Sequence, residues 1–228
     1  MTLKKNYGPL AKGMVAFSSL IPIEFFLATV RFFLFRLGAF ARTKNGRILS
    51  KNMREVLGYN PGSQGGKHFA RQVVDHQLRV FFETCRVVRG ACPKVEGLEE
   101  FRENMRSVED HNLGKILITA HLGNWEILGK YCAQVTLRNF YALAKPSPFS
   151  LMNQILDYIR QSLGVLVLWT GKNNFQRQII QVLKKQDWVA FVMDQKPRGR
   201  QGPLVRFFDK HTEFFSGFGV WGRRGSRF

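Results

Sequence analysis

The chain has 228 residues, carries 35 Lys and Arg against 16 Asp and Glu for a formal charge of +19, and holds 21 Phe beside 4 Trp and 5 Tyr. That length accommodates one sizeable core plus an appendage, and so large a surplus of positive charge implies an anionic partner: nucleic acid, anionic lipid or an acidic protein. Three cysteines (Cys85, Cys92 and Cys132) without CxxC spacing exclude a disulfide framework and a zinc ribbon and read as buried or bystander thiols in a reducing compartment.

Residues 14–40 are mostly apolar and dense in Phe. Glu24, Arg31 and Arg36 interrupt them, so that no window of ~20 residues is free of charge. Lys4, Lys5 and Lys12 precede the segment, and Arg42, Lys44, Arg47, Lys51 and Arg54 follow it. A secretory signal has a shorter apolar core and a small-residue cleavage site. The pattern predicts an N-terminal membrane-associated helix, embedded or interfacial, with its Lys and Arg near anionic headgroups. The alternative is a helix buried against the domain. Pro22 starts or kinks it. Residues 1–50 are accordingly read as a membrane-anchoring helical region and residues 51–220 as one α/β domain.

Residues 67–89 place Phe69, Val73, Val74, Leu78, Phe81 and Phe82 on one helical face, with Asp75 and His76 as surface charges. A short strand or turn and a further helix follow over 95–107. Four strands, 115–120, 140–144, 165–169 and 188–193, then alternate with helices over 124–134, 147–163 and 173–185. Leu151, Ile155, Ile159 and Leu163 carry the second of these helices, and Phe175, Ile179, Val182 and Leu183 the third. Strands alternating with helices of this length predict an α/β fold, a mostly parallel sheet flanked by helices.

The chemistry gathers after the strands, at the sheet edge where open α/β folds bind ligands. His121, a Gly turn, the N-capping Asn124 and Glu126 follow the first strand, and Lys145 the second. Lys172 follows the third, and Asp194, Gln195, Lys196, Arg198 and Arg200 follow the fourth. A His beside a carboxylate is the minimal machinery for taking a proton from a hydroxyl. The cations suit phosphate.

The segment His121-Leu-Gly-Asn-Trp-Glu126 resembles the H-x4-D/E signature of glycerolipid acyltransferases, in the form typical of the late acyltransferases of lipid A biosynthesis, the lauroyl/myristoyl transferases. Residues 51–55 are similar to that family's Arg-Asn-Leu segment. Lys145, Asn153, Arg160 and Gly164 fall where the family has a basic residue and then an N…R…G helix. Asp194-Gln195 followed by Val205-Arg206-Phe207-Phe208 is similar to its D-Q-x-P…V-x-F-F-G block. The resemblance runs from about residue 14 to 220.

It implies transfer of a fatty acyl chain from a thioester, on acyl-carrier protein or as acyl-CoA, to a hydroxyl of a membrane-bound acceptor. The acceptor expected is a lipid A precursor, with a lysophospholipid or another amphiphile as the alternative. It also implies His121 as general base and Glu126 as the group that orients its ring. Lys145 and Arg160 would hold the oxyanion or phosphates, and Asn153 and Gln195 would line the substrate site. Asp194 would bind Arg160 or a backbone turn. No cofactor or metal is implied. An acidic carrier protein and the anionic cytoplasmic face of a bacterial inner membrane suit the basic charge. A nucleic-acid-binding protein is the competing class, and no RNP, KH, zinc-finger or helix-turn-helix pattern appears; a membrane-binding module without catalysis is the third, and it leaves the His121/Glu126 pair unexplained. In the family, residues 216–220 would open a helix leading to a further strand. The sequence of residues 221–228 has neither periodicity, which predicts an aberrant tail on a domain incomplete at its C-terminal end.

Overall fold

A computed structural model describes residues 7–33, 39–109, 112–171, 174–195 and 202–214. The apolar N-terminal segment is not the single helix expected. It forms α1 (Pro9–Leu20) and α2 (Ile23–Arg31), bent by 96° where they meet. Pro22 is the cause. It holds Ile21 in an extended conformation and itself caps α2. Among the described residues no single helix is long and apolar enough to cross a membrane, although the bent pair together passes that test by length and composition.

One face of this segment packs on the protein and the other is exposed. Ala11 and Val15 of α1 are buried with Cys85 and Val87 of α5 (Gln64–Val88) and with Ile155 and Ile159 of α8 (Ser150–Ser162). The opposite side leaves Leu10, Phe17, Leu20 and Phe25 exposed. Two of the charges that interrupt the segment, Glu24 and Arg31, pair with residues of α5, and Arg36 lies outside the described residues. Glu24 accepts from Arg79 at 2.7 Å, and Arg31 Nε lies 3.0 and 2.8 Å from the two carboxylate oxygens of Asp75. Arg86 donates to the Ile21 carbonyl at 3.0 Å. Asp75, expected at the surface, is therefore a partner of the N-terminal helices, whereas His76 is exposed. Beyond α3 (Ala39–Arg42), α4 (Lys44–Glu55) runs straight through the boundary expected at residue 50. Its start is capped by the Thr43 hydroxyl, which accepts from the Gly46 amide.

After α6 (Leu98–Ser107), which begins from a turn with no strand before it, the sheet is built from β1 (Lys115–Thr119), β2 (Phe140–Ala144), β3 (Leu166–Trp169) and β4 (Trp188–Val192). Helices α7 (Trp125–Val135), α8 and α9 (Phe175–Lys184) connect them. All pairings are parallel and the order is β1-β4-β2-β3. The first two crossovers step the same way along the sheet and the third returns. Right-handed crossovers then put α7 and α8 on one face and α9 on the other.

Two cores result. Met105, Cys132, Phe140, Val165, Trp188 and Ala190 fill the α7 side; Ile179, Val182, Leu183, Val189 and Phe191 fill the α9 side. Central β4 feeds both with alternate residues, which is why it reads as an unbroken apolar run. A separate exposed hairpin, β5 (Leu204–Phe207) and β6 (Lys210–Glu213), turns through Phe208 and Asp209 at positive φ. Residues 215–228, with the tail anticipated over 221–228, lie outside the described residues.

Candidate active site

The site is made by the adjacency of β1 and β4. Thr119 is in register with Val192, and the Met193 amide donates to the Thr119 carbonyl at 2.9 Å, one rung beyond the strands. The next residue, Asp194, thereby comes level with His121. Its Oδ1 lies 2.7 Å from His121 Nδ1, and its Oδ2 accepts from the His121 amide at 3.1 Å. The ring is also met edge-on by Trp125, with centroids 4.8 Å apart. A neutral imidazole that donates Nδ1–H to a carboxylate presents an unprotonated Nε2, the form a general base requires.

The loop that carries His121 is closed locally. The Leu122 amide donates to the Ala120 carbonyl at 2.8 Å, and Gly123 takes φ +56, where a side chain is disfavoured. Asn124 then caps α7 by accepting from the Ile127 amide at 3.2 Å. Its amide nitrogen donates to the Val80 carbonyl at 3.2 Å and to Glu83 at 3.3 Å, which fastens the loop to α5.

Glu126 is not the partner of His121. It pairs with Arg160 of α8, whose Nε lies 3.2 and 3.0 Å from its two oxygens and whose terminal nitrogen lies 2.6 Å from Oε1. These side chains are 14% and 15% exposed, so the pair is largely withdrawn from water. The two carboxylates have thus exchanged the expected roles. Asp194 holds the ring and the backbone of His121, and Glu126 holds the arginine. The physical reason is strand order. Asp194 is 73 residues from His121 in sequence but on the neighbouring strand end. Glu126, in the first turn of α7, is met by the last turn of α8.

An apolar cavity of about 560 Å³ opens beside this cluster. His121, Glu126, Lys145, Arg160 and Gln195 line it, together with Thr170, which the sequence did not single out. Its walls include Leu117, Leu128, Gly129, Ala142 and Ala190 on the α7 side of the sheet and Leu143, Phe175, Phe191 and Met193 on the α9 side. Cys132, expected as an inert core thiol, lies in the core on the α7 side, and burial pushes its thiol up to about 12. Lys145 and Gln195 stand exposed at the mouth.

Asn153 is not part of the cavity. Its side chain accepts from the Ser147 amide at 2.7 Å and donates to the Ser147 carbonyl at 2.9 Å, closing the loop between β2 and α8. This replaces the expected substrate contact with a structural one. Lys172, Lys196, Arg198 and Arg200 lie outside the described residues. The sequence carried no signal for the ring contact of Trp125. For Asp194 the signal was its place at a strand end, without the neighbour that gives it meaning.

The family model for bacterial lipid A biosynthesis acyltransferases matches residues 13–221, a span that takes in most of α1, all of α2, the sheet and the hairpin. No curated protein matches the chain.

Proposed function

The chain belongs to the bacterial lipid A biosynthesis acyltransferase family and is an acyltransferase, and from that premise we propose that it moves a fatty acyl chain from an acyl thioester to a hydroxyl of a lipid A precursor. The observation that carries the reading is the His121–Asp194 pair at the mouth of an apolar cavity. His121 Nε2 takes the proton of the acceptor hydroxyl as its oxygen attacks the thioester carbonyl. Asp194 keeps the ring in the required tautomer and stabilises the imidazolium that forms. The tetrahedral intermediate collapses with loss of thiolate, and the imidazolium returns its proton to that sulfur. Ester and thiol are the products, and His121 is restored.

Glu126 and Arg160 brace α7 against α8 beside the reacting atoms. Lys145 at the rim supplies positive charge for phosphates of donor or acceptor, or for the developing oxyanion. Acyl-carrier protein is the donor we favour, because an acidic carrier complements a chain of formal charge +19.

The site of action we propose is the cytoplasmic face of the bacterial inner membrane. In support, α2 pairs Glu24 and Arg31 with α5, and α1 and α2 leave Phe17 and Phe25 68% and 74% exposed. Exposed aromatics on a basic protein suit the interface of an anionic leaflet. The reading is tested by His121→Ala, with lipid mass spectrometry of cells that lack or overexpress the gene. Loss of a secondary acyl chain on lipid A without the active gene supports it. Acyl transfer that survives in His121→Ala overturns the mechanism, and acylation of a lysophospholipid instead overturns the acceptor.

A further inference from the structure

We infer that Glu83 and Thr84 of α5 are positioning residues for the base His121 and act on it through Asn124, a proposal that rests on the acyl-transfer reading and gives α5 a part in the rate. Asn124 immediately precedes Trp125, whose ring meets the His121 imidazole edge-on. Capping α7 needs one acceptor, and the Asn124 oxygen supplies it to the Ile127 amide at 3.2 Å. That contact also fixes which end of the side chain is oxygen. The same oxygen lies 3.2 Å from the Thr84 hydroxyl, while the amide nitrogen donates to the Val80 carbonyl at 3.2 Å and to Glu83 at 3.3 Å. Both lone pairs and both N–H groups of Asn124 are thereby engaged, and three of these four contacts are to α5. As a cap alone, Asp or Ser would serve as well. Neither can make both donations, because an ionised Asp has no proton to give and Ser has one.

The anchor on α5 is itself held. Thr84 is 1% exposed, and its hydroxyl lies 2.6 Å from the Val80 carbonyl, so the three α5 groups that meet Asn124 sit within one turn of helix. On one side of that turn Asp75 and Arg79 pair with Arg31 and Glu24, and on the other Arg86 donates to the Ile21 carbonyl. Within it, Phe82 packs on Phe26 with ring centroids 4.7 Å apart. Asp194 thus holds His121 from the sheet, and α5 holds the same loop from a helix outside the sheet. A reacting group displaced by ~1 Å loses on the order of 100-fold in rate, so the second hold bears on turnover and not only on the cap.

The experiment separates tether from cap in the full chain, by initial rates of acyl transfer at saturating donor and acceptor and at a temperature where every variant is folded. Asn124→Asp keeps the cap, loses both donations and sets a carboxylate against Glu83. Its kcat should fall about 30-fold while KM stays within about threefold. Thr84→Val should lower kcat about fivefold, and Thr84→Ser, which keeps the hydroxyl, should restore most of it. Adding Glu83→Ala to Asn124→Asp removes the repelling charge and should raise kcat about fivefold over Asn124→Asp, the reverse of two additive losses. Nitrogen NMR of the His121 ring reads the geometry without turnover: one tautomer in the native protein and a second in Asn124→Asp.

A kcat within about threefold of native in Asn124→Asp, or a double variant slower than that single one, overturns the proposal and leaves acyl transfer standing. A native rate in Thr84→Val overturns the part given to Thr84. A second tautomer that appears in Asn124→Asp and recedes in the double variant, in a protein that transfers nothing, keeps the positioning role and overturns the reaction.

Discussion

Asp194→Asn separates the two carboxylates of the site. In the native arrangement Asp194 accepts from both the ring and the amide of His121, at 2.7 and 3.1 Å. An asparagine oxygen can keep only one of these bonds. If it keeps the amide, its NH₂ faces Nδ1 and forces the proton onto Nε2, the atom that must act as base. The negative charge that steadies the imidazolium is also lost. A hydrogen bond to a charged group contributes ~1.5–3 kcal/mol. The pair is 29% and 32% exposed, so water takes up part of the loss that a fully buried triad would show in full. The expected fall in kcat is about 10- to 100-fold. KM should stay within about threefold, since the carboxylate faces the ring and does not line the cavity. The assay is initial-rate acyl transfer at saturating donor and acceptor, with thermal unfolding alongside. A variant within threefold of the native kcat, in a protein where His121→Ala abolishes turnover, refutes the role given to Asp194. So does a larger fall in Glu126→Gln with unchanged stability.

Glu126→Gln leaves Arg160 charged and largely buried without its carboxylate and should cost about 3 kcal/mol of stability in denaturant unfolding. Adding Arg160→Gln should recover part of that cost, and simple additivity of the two losses would contradict the pairing. Burial pushes Cys85 and Cys132 up from 9.0 to about 11 and about 12. At pH 8 an alkylating reagent should therefore modify Cys92, which is exposed, before either of them. Folding binds those two protons more tightly, so their contribution is whole below about pH 9 and is lost as pH rises through 11 and 12. The denaturation midpoint should fall across that range more steeply than in Cys85→Ala/Cys132→Ala. Phe17→Glu with Phe25→Glu should reduce cosedimentation with anionic vesicles at least tenfold while leaving the unfolding midpoint within 3 °C. Equal binding would remove α1 and α2 from the membrane face.

Local pattern was enough for the elements. The period-4 apolar spacing of α8, the alternation of strands and helices, and the cap at Asn124 are short-range properties, and each is found where the sequence predicts it within a few residues. Pro22 likewise announced its break, because its ring restricts its neighbour whatever surrounds it. The segment was read too simply on either side of that break. Hydropathy counts Glu24 and Arg31 as interruptions, and only contact with Arg79 and Asp75 shows that they face protein.

The site divides in the same way. Sequence alone determined that a His, two carboxylates and Lys145 would reach one edge of a parallel sheet, since every strand of a βαβ series ends on the same side. It could not determine which of them touch. That depended on the return of β4 to lie between β1 and β2, a choice made by packing one helix on the opposite face. Strand order delivered Asp194 to His121, left Glu126 for Arg160, and placed both beside the cavity at the strand ends. Spacing along a chain records neighbours within a turn of helix. Contacts across 73 residues are decided by which apolar faces bury each other.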